Sequence, residues 1–270
     1  MNLVEAKYDK LKSFIGGFDS AVVAYSGGVD SSLVAYVTAQ VLGSRSLAVT
    51  SGSKSLKRED LALSKELADR WKMPHRVIVT DELDDPNYRA NPTDRCFYCK
   101  TSLYTHLAQI AKAEGFDAIF NGTNLDDLGD HRPGLIAAKE HGVMAPLAET
   151  GFSKADIRSL AADLGLENAQ KPQSACLSSR VPYGTSIDAS LLGQIERAES
   201  ALLALGFSQF RVRHHGDVAR LELVASEFDK ALARRDVIVE RVKACGYRFV
   251  ALDLAGFRSG SLNEGLVDTT

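Results

Sequence analysis

The sequence predicts an α/β fold: a parallel sheet followed by a smaller C-terminal α+β domain. Three observations carry this. Short, apolar, β-prone runs alternate with helical segments from residue 3 to residue 164. A Gly/Ser-rich loop, Ser26-Gly27-Gly28-Val29-Asp30-Ser31-Ser32, joins the first apolar run to the helix behind it. Beyond about residue 180 the pattern changes to a helix followed by segments that alternate polar and apolar residues.

Taken in order, residues 3–18 space their apolar side chains helically and break at Gly16-Gly17. Residues 21–25 read as a buried strand, and residues 32–42 as a helix that Gly43 closes. Strands follow at 46–50, 76–79 and 116–120, and helices within 55–71 and at 99–113. Residues 153–164 form a further helix, with Ser153 at the cap and Asp156 three residues on. Next come a helix over 188–205, a hairpin of 210–213 with 218–223 around His215-Gly216-Asp217, helices at 226–234 and 235–244, and a strand over 247–252. The expected division is 1–180 for nucleotide binding and 181–270 for substrate binding and oligomerisation.

Composition narrows the class. A chain of 270 residues, 45% hydrophobic and 25% charged with 7 prolines, can bury a sizeable core and is neither fibrous nor disordered. The net charge of −3 gives no general reason to bind nucleic acid. No apolar stretch is long enough to span a membrane. MNLVEAKYDK carries no apolar signal core, so a cytoplasmic enzyme is expected. In that reducing setting the Cys96-x-x-Cys99 pair points to metal or redox chemistry before a structural disulfide.

The loop Ser26–Ser32 carries the most specific signal. Glycines let backbone amides approach an anion closely, and a helix start points N–H groups at it. Hydroxyls of Ser26, Ser31 and Ser32 are phosphate donors, and Asp30 is a candidate Mg²⁺ ligand. The G-K-[ST] ending of a Walker A loop is missing. The residues resemble the PP-loop of the adenine-nucleotide α-hydrolase superfamily, which implies cleavage of ATP between its α and β phosphates to form an adenylate. Adenine recognition is expected near Ser51, at the end of the second strand, where open parallel sheets bind ligands.

Cys96 and Cys99 lie between Arg95 and Lys100, which favour thiolates, at the mouth of a predicted helix. A zinc half-site, a disulfide or two ligands of a cluster all fit that spacing. Cys176, in the polar loop Lys171–Arg180, supplies a third candidate thiolate; three on a [4Fe–4S] cluster leave one iron open for an extra sulfide. The loop 121–134 follows a strand end and offers Gly122, Asp126, Asp130 and Arg132 as cleft residues, with Arg132 a partner for phosphate or carboxylate. Arg211 and Arg213, two apart on a strand, face one side and suit an anionic substrate, with Arg180 and Arg258 further candidates.

The ordered set of motifs resembles the LarE family of sulfur-insertion enzymes. It comprises Ser26 to Ser32, R-C-x-x-C-K at Arg95 to Lys100, D-x-R-P-G at Asp130 to Gly134, A-C-L-x-S-R at Ala175 to Arg180, Pro182 to Thr185, Arg211 to Arg213, Ala219 to Glu222 and Gly256 to Gly260. The resemblance implies that ATP adenylates a carboxylate of pyridinium-3,5-dicarboxylate mononucleotide and that sulfur then displaces AMP to leave a thiocarboxylate, in the making of the nickel-pincer nucleotide of lactate racemase. It also implies metal-binding or arginine-orienting roles for Glu199 and Glu222, an external sulfide or sulfur donor, contact with other enzymes of nickel-pincer synthesis, and a homo-oligomer. One kind of LarE protein sacrifices a single cysteine, at a position matching Ala175 here. The other kind carries three cysteines that resemble [4Fe–4S] ligands, the pattern of Cys96, Cys99 and Cys176. Alternatives are a persulfide or sacrificed thiol at Cys176, tRNA thiolation, amidation by ammonia, and a non-enzymatic nucleotide sensor or cluster carrier.

Overall fold

A computed structural model describes residues 3–129, 133–258 and 262. The chain forms two compact units, Met1–Tyr88 with Thr93–Ser174 and Arg89–Pro92 with Ala175–Thr270.

In the first unit α1 (Leu3–Gly16), β1 (Ala21–Ala24), α2 (Val29–Leu42), β2 (Ser46–Ser51), α3 (Arg58–Arg70) and β3 (His75–Ile78) alternate as expected. At the end of α4 (Pro86–Arg89) the chain passes into the second unit and returns for α5 (Arg95–Glu114) and β4 (Ala118–Phe120). Then follow α6 (Leu125–Leu128), α7 (Pro133–Glu140), α8 (Pro146–Glu149) and α9 (Lys154–Asp163). The four strands are parallel in the order β3-β2-β1-β4.

The alternation of a strand sorts the core. Val23 of β1 and Phe120 of β4 pack with Leu11 and Ile15 of α1, Leu33 and Val37 of α2 and Ile157 of α9. Val22 and Ala24 face the other way, with Tyr104, Leu107 and Ala111 of α5 and Ala137 and Ala138 of α7. A sheet covered on both faces needs apolar residues at every position, which is why β1 reads as an unbroken apolar run. The chain order reverses between β1 and β4, so the crevice opens at their carboxyl ends.

Two boundaries differ from expectation. The cysteine-bearing helix begins at Arg95, four residues earlier than the sequence suggests, and the polar stretch after β4 contains α6, closed by a capping box of Asn124 and Asp127. The box expected at α9 is present: Ser153 Oγ accepts from the Asp156 amide, and Asp156 accepts from the Ser153 amide at 2.9 Å.

The second unit holds α10 (Ala189–Ala204), β5 (Phe210–His215), β6 (Val218–Leu223), α11 (Phe228–Ala233), α12 (Arg235–Ala244) and β7 (Phe249–Leu252). β5 and β6 form the expected hairpin, and β7 joins β6 in parallel. Ala198, Leu202, Val212, Leu221 and Val242 lie in its core. Asn91 belongs to this unit: fully buried and left-handed at φ 54°, it donates its amide to the carbonyls of Pro182 (2.8 Å) and Thr185 (3.0 Å).

Candidate functional site

The loop after β1 wraps the start of α2. Gly28 takes the N-cap position and has no side chain to close off the helix start. Ser31 Oγ lies 3.1 Å from the Gly28 carbonyl, the Ser26 amide and Ser26 Oγ, so the loop is folded around its own hydroxyls. Gly27 has φ +73°, a conformation that favours glycine, and its Cα faces Ser64 of α3. Gly122, just beyond β4, is required by contact: a Cβ there would stand 2.7 Å from the Ser31 nitrogen. The structure thus brings Ser26, Gly27, Gly28, Asp30, Ser31, Ser32 and Gly122 together at the β1/β4 crevice.

Two residues of this site escaped the sequence reading. Lys154, the first residue of α9, reaches Asp30 with its ammonium at 2.6 and 2.5 Å from the two carboxylate oxygens. A cation thus reaches the loop from a separate helix 124 residues away in the chain. Asn168 is buried and donates to the Gly27 carbonyl (3.0 Å) and Ser32 Oγ (2.7 Å). Neither carries a local signal, because both act through tertiary contact.

Ser51, at the carboxyl end of β2, shares a 2.6 Å hydrogen bond with Thr80 Oγ1. Thr80 in turn donates to Glu82, a buried carboxylate that also accepts from Ser53 and Ser55. The three hydroxyls substitute for water around the charge and stiffen the loop between β2 and α3. Arg132, with Asp130 and His131, lies outside the described residues.

Cys96 and Cys99 sit three apart in the first turns of α5, so they lie on neighbouring positions of one helical face. Cys96 is exposed and Cys99 half-buried. Two soft donors at this spacing suit two ligands of zinc or an iron–sulfur cluster. Among the described residues no group of three or more His, Cys, Asp or Glu is disposed to hold a metal ion.

In the second unit the residues around Cys176 form a dense arginine–glutamate assembly. Arg180 is buried, its Nε 2.8 Å from Glu199 Oε1 and its other nitrogens on Glu199 Oε2, Ser179 Oγ and the carbonyls of Ala175 and Cys176. Glu199, on α10, is buried and also accepts from the Val212 amide. Arg213 and Glu222 form a second buried pair at 2.9 Å, joined by Arg220 at 3.0 Å. Arg211 faces Glu222 across the hairpin but donates to the Arg258 carbonyl and lies over the Phe257 ring, 4.6 Å from its centroid. Burial, with Arg213 and Arg180 nearby, pulls the Arg211 guanidinium below its usual pKa. Arg180, Arg211, Arg213 and Arg220 gather around Glu199, Glu222 and the Asp253 partner of Arg220, and such guanidiniums are the donors that suit an anionic group.

A parallel sheet with this loop at its first strand end defines a PP-loop, ATP-using class of protein, and comparison with known proteins narrows it. Residues 4–88 match the NAD synthase family. The chain is 42% identical over 268 residues to an uncharacterized protein of Synechocystis sp., covering 98% of this chain and 99% of that one. It is 36% identical over 255 residues to the pyridinium-3,5-bisthiocarboxylic acid mononucleotide synthase of Lactiplantibacillus plantarum, covering 94% and 88%. An uncharacterized protein of Methanocaldococcus jannaschii is 28% identical over 71% of this chain and 73% of its own length. The chain belongs to the LarE family of ATP-using PP-loop enzymes. No described helix is long and apolar enough to cross a membrane.

Proposed function

We propose that the protein is an ATP-dependent sulfurtransferase that converts a carboxylate of pyridinium-3,5-dicarboxylate mononucleotide to a thiocarboxylate. The observation that carries this reading is the assembly around Cys176, where a thiol-bearing turn is held by Arg180 within a cluster of arginines and glutamates. The relative from Lactiplantibacillus plantarum, named for a bisthiocarboxylic acid mononucleotide, supports the substrate class.

In this mechanism Ser26, Gly27, Gly28, Ser31 and Ser32 grip the phosphates of ATP, Gly122 lets them close in, and the loop at Ser51 receives adenine. Asp30 is the residue that would hold Mg²⁺, which would supply charge neutralisation at the phosphates, and Lys154 is the neighbouring cation that would meet phosphate oxygens. A substrate carboxylate oxygen attacks the α-phosphorus, and pyrophosphate leaves. A carboxylate is a poor electrophile until that oxygen departs as AMP, so a sulfur nucleophile then attacks the acyl carbon, AMP leaves, and a thiocarboxylate remains. Arg211 and Arg213 orient the anionic substrate, with Glu199 and Glu222 fixing the arginines and Arg258 and Arg132 as further candidate partners of its anionic groups.

Cys96, Cys99 and Cys176 are the proposed ligands of a [4Fe–4S] cluster; their thiols fit its donor chemistry, and when bound it would present a replaceable sulfide from an external sulfur donor. A persulfide or sacrificed thiol at Cys176 is the competing sulfur source within the same reaction. The homo-oligomer and the hand-over to other nickel-pincer enzymes belong to this proposal. The test is ATP-to-AMP conversion by protein purified without oxygen. AMP formation that depends on the pyridinium nucleotide is expected, and background AMP at saturating nucleotide overturns the reading. Mössbauer spectra after ⁵⁷Fe reconstitution decide the sulfur source: about four irons per chain support the cluster, and none transfers the role to Cys176 alone.

A further inference from the structure

The residues that lead into Cys176 are tied down in an unexpected way. Residues 171–176 adopt no regular structure. The stretch before them is nevertheless pinned at successive points. Asn168 grips the phosphate loop at Gly27 and Ser32, and Arg158 of α9 donates to the carbonyls of Ala169 and Lys171, each at 3.1 Å. The last pin is Asp60, in the first turn of α3: its carboxylate accepts from Lys171 Nζ at 2.7 Å and from Ser174 Oγ at 2.6 Å.

Asp60 is only 7% exposed, and neither the phosphate loop nor the arginine assembly uses it. A carboxylate on a solvent-facing first turn would serve the helix dipole from the surface. Here it is buried and spends both oxygens on one irregular segment. Ser174 precedes Cys176 by two residues, so the Cys176 Cα lies within about 7 Å of its own. On the far side, the carbonyls of Ala175 and Cys176 are held by Arg180. Cys176 thus follows by two residues a segment whose end is held by a buried charged group outside the chemistry.

We infer that Asp60 is a positioning residue for Cys176: through Lys171 and Ser174 it fixes the segment from which the thiol extends, and so limits how freely that thiol meets a reagent. The role rests on the reading of Cys176 as the sulfur-site cysteine, but the placement itself does not depend on sulfur transfer.

The experiment measures placement directly. The intact, metal-free protein is alkylated with iodoacetamide, with no nucleotide and no sulfur donor, and each cysteine is followed by peptide mass spectrometry. Asp60→Asn is expected to speed Cys176 alkylation by roughly tenfold, the scale of one lost charge-assisted hydrogen bond, with Cys245 unchanged. Lys171→Met removes the same contact from the other side and is expected to act alike, while Asp60→Glu restores the slow rate. In the turnover assay Asp60→Asn lowers kcat and leaves the KM for ATP unchanged. Wild-type Cys176 kinetics in both Asp60→Asn and Lys171→Met overturn the inference, as does equal acceleration of Cys245, which marks general loosening. Failure of the sulfurtransferase reading would appear separately, as absent AMP formation in the wild type.

Discussion

Lys154 places its ammonium across both carboxylate oxygens of Asp30, at 2.6 and 2.5 Å, so a cation from α9 sits on the acidic residue of the phosphate loop. Both side chains remain partly solvated, at 34% and 26% exposure, which leaves the pair free to exchange partners. Under the proposed function, a nucleotide arriving with Mg²⁺ would give Asp30 a stronger cation and Lys154 phosphate oxygens to meet.

Lys154→Met should therefore raise the KM for ATP by about tenfold or more, the loss of one charge-assisted contact, with a smaller change in kcat. Asp30→Asn should abolish AMP formation while leaving the fold intact by circular dichroism. Steady-state AMP assays over a range of ATP concentrations check both. An unchanged KM in the Lys154 variant would assign the lysine to stability alone.

Gly122 makes a second prediction that needs no charge. A Cβ at this position would meet the Ser31 nitrogen at 2.7 Å and the Ser31 Cα at 2.9 Å, both backbone atoms that cannot swing aside. Gly122→Ala should cost about 1–3 kcal/mol of stability through overpacking and weaken ATP binding by shifting the start of α2. Urea unfolding and nucleotide titration measure the two effects. A variant with wild-type stability and affinity would mean that the contact relaxes freely.

Acid stability follows from Asp156. Burial pushes its carboxyl up, but the Lys7 ammonium at 2.6 Å and the Ser153 hydroxyl and amide outweigh that and hold it at about 2, below its ordinary 3.8. A depressed carboxylate contributes stability that is fully present above the unfolded pKa and is lost as pH falls through the folded one. The contribution of the α1–α9 link should therefore persist at pH 5 and vanish between about pH 4 and pH 2. Lys7→Met should shift the acid-unfolding midpoint upward, read by circular dichroism against pH; coincident curves for wild type and variant would refute the link.

Much of this was legible in the sequence, and for definite reasons. The parallel sheet was readable because β1 is buried on both faces and so apolar at every position, and the phosphate loop because its glycines and serines are contiguous. Ser153 with Asp156 announced α9 because capping is local. Lys154, Asn168 and Asp60 were illegible, since each works on a partner more than a hundred residues away in the chain. The burial of Glu199 was hidden for a different reason: a glutamate on an amphipathic helix looks like surface until the fold brings up Arg180, 19 residues before it, and the Val212 amide, 13 residues after it.

The arginine assembly allows stability and function to be separated. Arg213 and Glu222 are both almost wholly buried, 2.9 Å apart, and breaking such a pair strands a charge away from water. Glu222→Leu should cost about 3–5 kcal/mol, because Arg213 is left unpaired. The double variant Arg213→Met/Glu222→Leu removes both charges and should regain most of that loss, since two well-packed apolar groups need no desolvation offset. If Arg213 serves only the fold, the double variant also recovers AMP formation. If Arg213 binds the substrate anion, stability returns while the KM for the pyridinium nucleotide stays raised, with the KM for ATP at its wild-type value. The second outcome is expected, because the proposed role of Arg213 is to orient the anionic substrate, and a methionine has no donor for it. Urea midpoints and the two KM values, measured on the same preparations, decide between them.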